Sequence, residues 1–93
     1  EDKLNRANMY PNPFSDIINI DFYNKSAGDR ISTEVYDLYG RVIRRREYGN
    51  MSVGRNTLKV DGLAAAGQTG IYFVMLKVNG IPLKTVKMLR SKK

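Results

Sequence analysis

The chain has no cysteine, no histidine and no tryptophan among its 93 residues. Without cysteine there is no disulfide, thiolate metal site or thiol nucleophile, and without histidine the commonest general base and metal ligand is missing. Most catalytic constellations are thereby excluded, and neither cofactor nor metal is expected. The lack of cysteine fixes no redox compartment, because exported bacterial domains also avoid unpaired thiols. No apolar stretch approaches the roughly 20 residues that cross a bilayer as a helix, so no membrane insertion is expected. The opening Glu1-Asp2-Lys3 is unlike a signal peptide. A chain that starts without Met is expected to be a fragment of a longer precursor whose export signal, if any, lies at the front of that precursor.

What is present points to one small domain. A single core organises about 100 to 150 residues, and a chain this short hides only roughly 60 to 65% of its unfolded surface, so it needs one continuous apolar core. Its 42% hydrophobic content supplies that core. The formal net charge is +7, with basic residues at Arg41, at Arg44 to Arg46, and at Lys84, Lys87, Arg90, Lys92 and Lys93. From Ile81 onward there is no acid. Such a balance favours anionic partners.

Hydrophobic periodicity is mainly two, which predicts strands and no amphipathic helix. Residues 1–8 are polar and of mixed charge, and read as the end of a linker; the domain is expected over 9–93. Met9 and Tyr10 form a short first strand, and Pro11 and Pro13 around Asn12 remove two amide donors, confining this segment to a sheet edge. Asp16 to Phe22 alternates with Ile18, Ile20 and Phe22 inward. Ile31 to Leu38 places Ile31, Thr33 and Val35 inward and Ser32, Glu34 and Tyr36 outward. Gly40 then takes positive φ in a turn that returns as Arg41 to Tyr48. Three successive arginines cannot all point outward, so at least one reaches an edge or a bulge.

Asn56 to Val60 gives another strand with Leu58 and Val60 inward, and Leu63 to Thr69 is a small-residue connection ending at Gly70. Ile71 to Val78 is apolar on both faces, which places it in the middle of a sheet. Asn79-Gly80 is a type I′ hairpin signal, and Pro82 to Arg90 returns as the last strand. Seven strands in about 85 residues predict an all-β, antiparallel immunoglobulin-like β-sandwich. Its core is expected around Ile18, Ile20, Val35, Val42, Leu58, Tyr72, Val74 and Leu76.

Turn chemistry explains Asp37 and Gly40 without any functional role. Arg41 is left over, as a docking residue or the partner of Asp37. Arg44 to Arg46 lack the interleaved exposed aromatics of a nucleic-acid platform, so no nucleic acid is expected. Tyr23, Tyr36, Tyr39 and Tyr48 offer a conceivable carbohydrate platform, which makes a carbohydrate-binding or fibronectin-like accessory module the alternative reading. Asp21, Glu34, Asp37 and Glu47 are scattered over solvated faces and imply no glycosidase pocket, so no enzyme is expected.

The ordered motifs resemble one family, the type A C-terminal sorting domain of type IX secretion substrates in Bacteroidetes. They are Tyr10-Pro11-Asn12-Pro13, the strand around Ile18 to Ile20, Val35-Tyr36-Asp37 leading into Gly40-Arg41-Val42, Leu58 and Val60, Leu63, Gly70-Ile71-Tyr72, and a last strand bearing Lys84 and Lys87. The stretch from Leu63 to Gly70 is longer than the family's usual connection. The resemblance implies a passenger N-terminal to the domain and passage through the periplasm of a Gram-negative bacterium. It further implies reading by the outer-membrane translocon and removal by a sortase-like peptidase at the cell surface. Gly40, Arg41, Val42, Lys84, Lys87 and Arg90 are the expected recognition residues, and Tyr10, Pro11, Asn12, Pro13, Asp37, Gly70 and Tyr72 the structural ones. No oligomeric state is assigned.

Overall fold

Alternation along the chain is realised as seven strands in the computed structural model, which describes residues 7–66 and 68–91. They are β1 (Ala7–Tyr10), β2 (Ile18–Asn24), β3 (Arg30–Tyr36), β4 (Val42–Asn50), β5 (Gly54–Val60), β6 (Gly70–Val78) and β7 (Ile81–Arg90). One sheet has the order β1-β2-β5 and the other β4-β3-β6-β7, with every named pair antiparallel. The chain is an antiparallel immunoglobulin-like β-sandwich. A single 3₁₀ turn, Leu63–Ala66, lies in the crossover from β5 to β6.

Period two decides which side chains meet between the sheets. Ile18, Ile20 and Phe22 of β2, with Leu58 and Val60 of β5, face Ile31 and Val35 of β3 and Tyr72, Val74 and Leu76 of β6. Burying each large aliphatic or aromatic group stabilises the fold by about 1.5–3 kcal/mol. The hairpin from β6 to β7 forms because Asn79 (φ 55°) and Gly80 (φ 80°) both adopt positive φ. Asn79 also ties this end to β3, accepting from the Arg30 amide and donating to Asp29.

The two open sides of the sandwich are closed differently. Beside β4 and β5, Arg44 Nη2 and Arg46 Nη1 both donate to Asp61, at 3.1 and 2.9 Å, and the Tyr48 hydroxyl donates to the Lys59 carbonyl. The arginine run therefore does reach a sheet edge, and β4 shifts register twice against β3. On the other side, the segment after β1 runs along the outer edge of β7. Asn12 donates to the Lys87 carbonyl and accepts from the Leu89 amide, so one side-chain amide imitates a strand partner. The Phe14 amide then donates to the Leu89 carbonyl, and the Ser91 amide to the Phe14 carbonyl. Phe14 is buried, with its ring edge-on to Tyr72 at 6.1 Å.

Three sequence expectations need correction. The first strand starts at Ala7, two residues before Met9, because Ala7 fills the core and pairs with Phe22; residues 1–6 lie outside the described residues. Val42 is 42% exposed instead of buried, because the register shift after Val35 pairs it with outward-facing Tyr36 while Ile43 packs against the core. Glu34 does lie on the outer side of its sheet, yet it is only 5% exposed, covered by the long side chains it binds.

Candidate functional site

The turn from β3 to β4 is built around one carboxylate. Asp37 accepts from the Tyr39 amide at 2.8 Å, the Arg41 amide at 3.0 Å and Arg41 Nε at 2.7 Å. Gly40 at φ 80° lets the chain reverse inside this set. Desolvation pushes the Asp37 carboxyl up, but the Arg41 amide and guanidinium and the Tyr39 amide outweigh it and hold the carboxyl below its ordinary range. Arg41 thus does pair with Asp37, and its guanidinium also lies 5.5 Å from the centre of the Tyr39 ring. Around it Tyr39 and Leu38 are 84% and 63% exposed. A cleft of about 460 Å³ opens between this turn and the start of β6, lined by Asp37, Tyr39 and Arg41 on one side and Gly70, Ile71 and Tyr72 on the other. Two motifs some thirty residues apart in sequence, Asp37 to Arg41 and Gly70 to Tyr72, so share one concavity.

From the turn, strand register carries a row of side chains across the outer face of the four-stranded sheet. Val42 pairs with Tyr36, Tyr36 with Phe73, and Phe73 with Lys87. Beside this row lies Glu34, which accepts from the Tyr36 hydroxyl, from Arg45 Nε at 2.9 Å and from Lys77 Nζ at 3.4 Å. The Tyr36 hydrogen bond is the main force holding the Glu34 carboxyl below its ordinary range, with Arg45 and Lys77 adding to it against the opposing effect of burial. The same bond pushes the Tyr36 phenol up.

The last strand does not present its three cations together. Alternation puts Lys87 outward, but Lys84 and Arg90 on the side of buried Met88. Lys84 Nζ donates to the Ala7 carbonyl at 2.7 Å, and Arg90, 8% exposed, donates through Nε to the Ser15 carbonyl at 2.8 Å. Both tie the chain's beginning to its end. Of the three cations expected as recognition residues of this strand, Lys84 and Arg90 thus stand on the opposite side from Lys87: residues 84 and 90 share a parity and 87 does not.

The family model of the secretion system C-terminal sorting domain matches residues 8–89, nearly the whole chain. The chain belongs to this family. No curated protein matches it. The sorting domain is the C-terminal signal for type IX secretion, and its family is not an enzyme family. It marks a secreted or cell-surface protein, and implies an N-terminal passenger and interaction with the type IX machinery.

The remaining motif residues make the following contacts. The Tyr10 hydroxyl donates to Asp21, a bond that raises the Tyr10 phenol. Pro11 and Pro13 flank the Asn12 clamp on β7, and the Tyr72 hydroxyl donates to the Gln68 carbonyl at 2.6 Å. Gly70 holds φ 130° at the start of β6. The tyrosines of the carbohydrate alternative are dispersed: Tyr23 on the three-stranded sheet, Tyr36 on the four-stranded sheet, Tyr39 at the turn and Tyr48 bonded between sheets. That alternative has no support. Sequence reading missed Phe73, Ile71 and Leu89 as surface residues, although one signal was present: β6 is apolar on both of its faces.

Proposed function

We propose that this sorting domain is read as a folded unit by the type IX outer-membrane translocon after its protein has reached the periplasm, and that a sortase-like peptidase removes it at the cell surface. Family membership over residues 8–89 carries the reading. The fold supports reading of a folded unit, because Asn12, Phe14 and Ser15 are bonded to residues 87–91, so the last strand is held by the first segment. Residues 1–6 would then lead from the passenger, and cleavage there needs an extended, accessible chain. Recognition falls to Gly40, Arg41, Val42 and Lys87, which stand outward, with Lys84 and Arg90 holding the last strand in place. Fusing the 93 residues behind a reporter that carries an N-terminal export signal tests this in type IX-competent cells. The reporter should reach the medium or cell surface; a folded fusion retained in the periplasm would refute the reading.

A further inference from the structure

A sheet that leaves one face to water normally alternates apolar with polar residues. The outer face of β1-β2-β5 does so, carrying Asn19, Asp21, Tyr23, Thr57 and Lys59. β6 breaks the rule, because Ile71, Phe73 and Met75, opposite in parity to buried Tyr72, Val74 and Leu76, point away from the core and are only half-buried. Pairing sets Ile71 against Leu89, itself 45% exposed, and sets Phe73 between Tyr36 and Lys87. Aromatic residues, methionine and arginine are the groups enriched at protein interfaces.

The charges of this face leave a one-sided remainder around that apolar centre. Glu34 is bound by Tyr36, Arg45 and Lys77, and Asp37 by Arg41 and two amides. By contrast, among the described residues no hydrogen bond or ion pair engages the Lys87 ammonium or the terminal nitrogens of Arg41, whose guanidinium bonds Asp37 through Nε and lies over the Tyr39 ring. Glu47, opposite Ser32, lies toward the far end of the sheet.

We propose that the outer face of the four-stranded sheet, from Val42 across Tyr36 and Phe73 to Lys87, is the docking surface of the sorting domain. Its partner is a translocon protein that presents an apolar patch bordered by carboxylates. One carboxylate pairs with Lys87, and another enters the cleft beside Arg41, whose free terminal nitrogens match a carboxylate in bidentate geometry. This inference rests on the sorting function proposed above and identifies the surface through which it acts.

Photocrosslinking during export tests it. A photoreactive benzoylphenylalanine is placed at position 73 or 89, or at 23 or 57 as controls, in the full domain fused to the exported reporter. Crosslinks from 73 and 89 to an outer-membrane translocon protein identified by mass spectrometry should exceed those from 23 and 57 by about tenfold, the contrast between a buried anchor and an uninvolved surface. Lys87→Glu should lower them and Lys87→Arg should not. The docking face is overturned by equal yields from both faces, by no crosslink from 73 and 89 while the reporter is exported, or by crosslinks that join a second copy of the domain or a polysaccharide instead. Undiminished crosslinking by a folded Lys87→Glu variant overturns the acidic partner. Retention of the unsubstituted fusion in the periplasm would refute the sorting function itself, a separate outcome, and cooperative melting of each variant distinguishes lost docking from lost folding.

Discussion

On the outer face of the three-stranded sheet, Asp21 accepts hydrogen bonds from Tyr10 and Thr57, and Arg55 lies over the Tyr23 ring; on the outer face of the four-stranded sheet, Met75 pairs with the covered Glu34 and Phe73 with Tyr36. Both faces come from antiparallel strands of similar length with the same two-residue period. On the first, Tyr10 and Thr57 bond to a shared Asp21, and the outward groups are polar or charged. The second keeps Ile71, Phe73 and Met75 only half-buried on its outer side. For folding alone the second arrangement gains less than full burial would, because a partly exposed phenylalanine recovers only part of its burial energy. The proposed docking face rests on that difference.

Changes beneath and upon these faces should have graded effects. The largest is expected from Phe14→Ala, which empties a core position under the end of β7, so that the four-stranded face loses its edge. Large aromatic truncations of this kind cost about 3–5 kcal/mol, a large share of the stability of a small domain. Denaturant unfolding should show a midpoint far below that of the unsubstituted domain.

Glu34→Gln comes next, because it disrupts the ion cluster that covers the polar centre of the apolar face. Loss of charge-assisted hydrogen bonds should cost about 1–2 kcal/mol, reduced from the fully buried case because Arg45 is more than half exposed. The pH dependence follows from the lowered carboxyl. Above the ordinary glutamate range the charged cluster contributes its full stability; as pH falls through that range toward the lower folded value, the unfolded chain takes up the proton first and the contribution disappears. Melting temperatures of the parent should therefore fall more steeply on acidification than those of Glu34→Gln. Tyr36→Phe, which removes the main cause of the lowering, should flatten the curve as well.

Asn12→Ala should cost about 1 kcal/mol, since it leaves the Lys87 carbonyl and Leu89 amide to water at the sheet edge. Faster amide exchange at Leu89, with β2 unchanged, would locate the effect. The smallest change is expected on the polar face, where Arg55→Gln should alter stability by no more than about 0.5 kcal/mol. A loss there as large as that of Glu34→Gln would erase the contrast between the two faces.

Strands and turns were legible because their causes are local. Alternation at Ile18, Ile20 and Phe22 is enough to give a buried face, and Asn79-Gly80 is enough to give a hairpin. The placement of the charges was not legible, because it depends on partners far along the chain. Arg90 is buried by Ser15, seventy-five residues away, and Lys84 is drawn inward by Ala7. Nothing near Glu34 in sequence announces Lys77, which reaches it from the neighbouring strand. The candidate site was half visible for the same reason. Gly40 to Val42 and Lys87 stood out as separate motifs, whereas the row through Tyr36 and Phe73 that joins them exists only once register is set.

The most direct measurement is export of the reporter by paired variants, one from each face. Phe73→Gln combined with Lys87→Glu alters the four-stranded face, and Tyr23→Gln combined with Lys59→Glu alters the three-stranded face. Both purified domains should keep a β-rich spectrum and melt cooperatively, so that folding is matched before export is compared. The account predicts that the first pair stays in the periplasm while the second is exported like the parent. Normal export of the folded first pair, or equal loss in both, would contradict it.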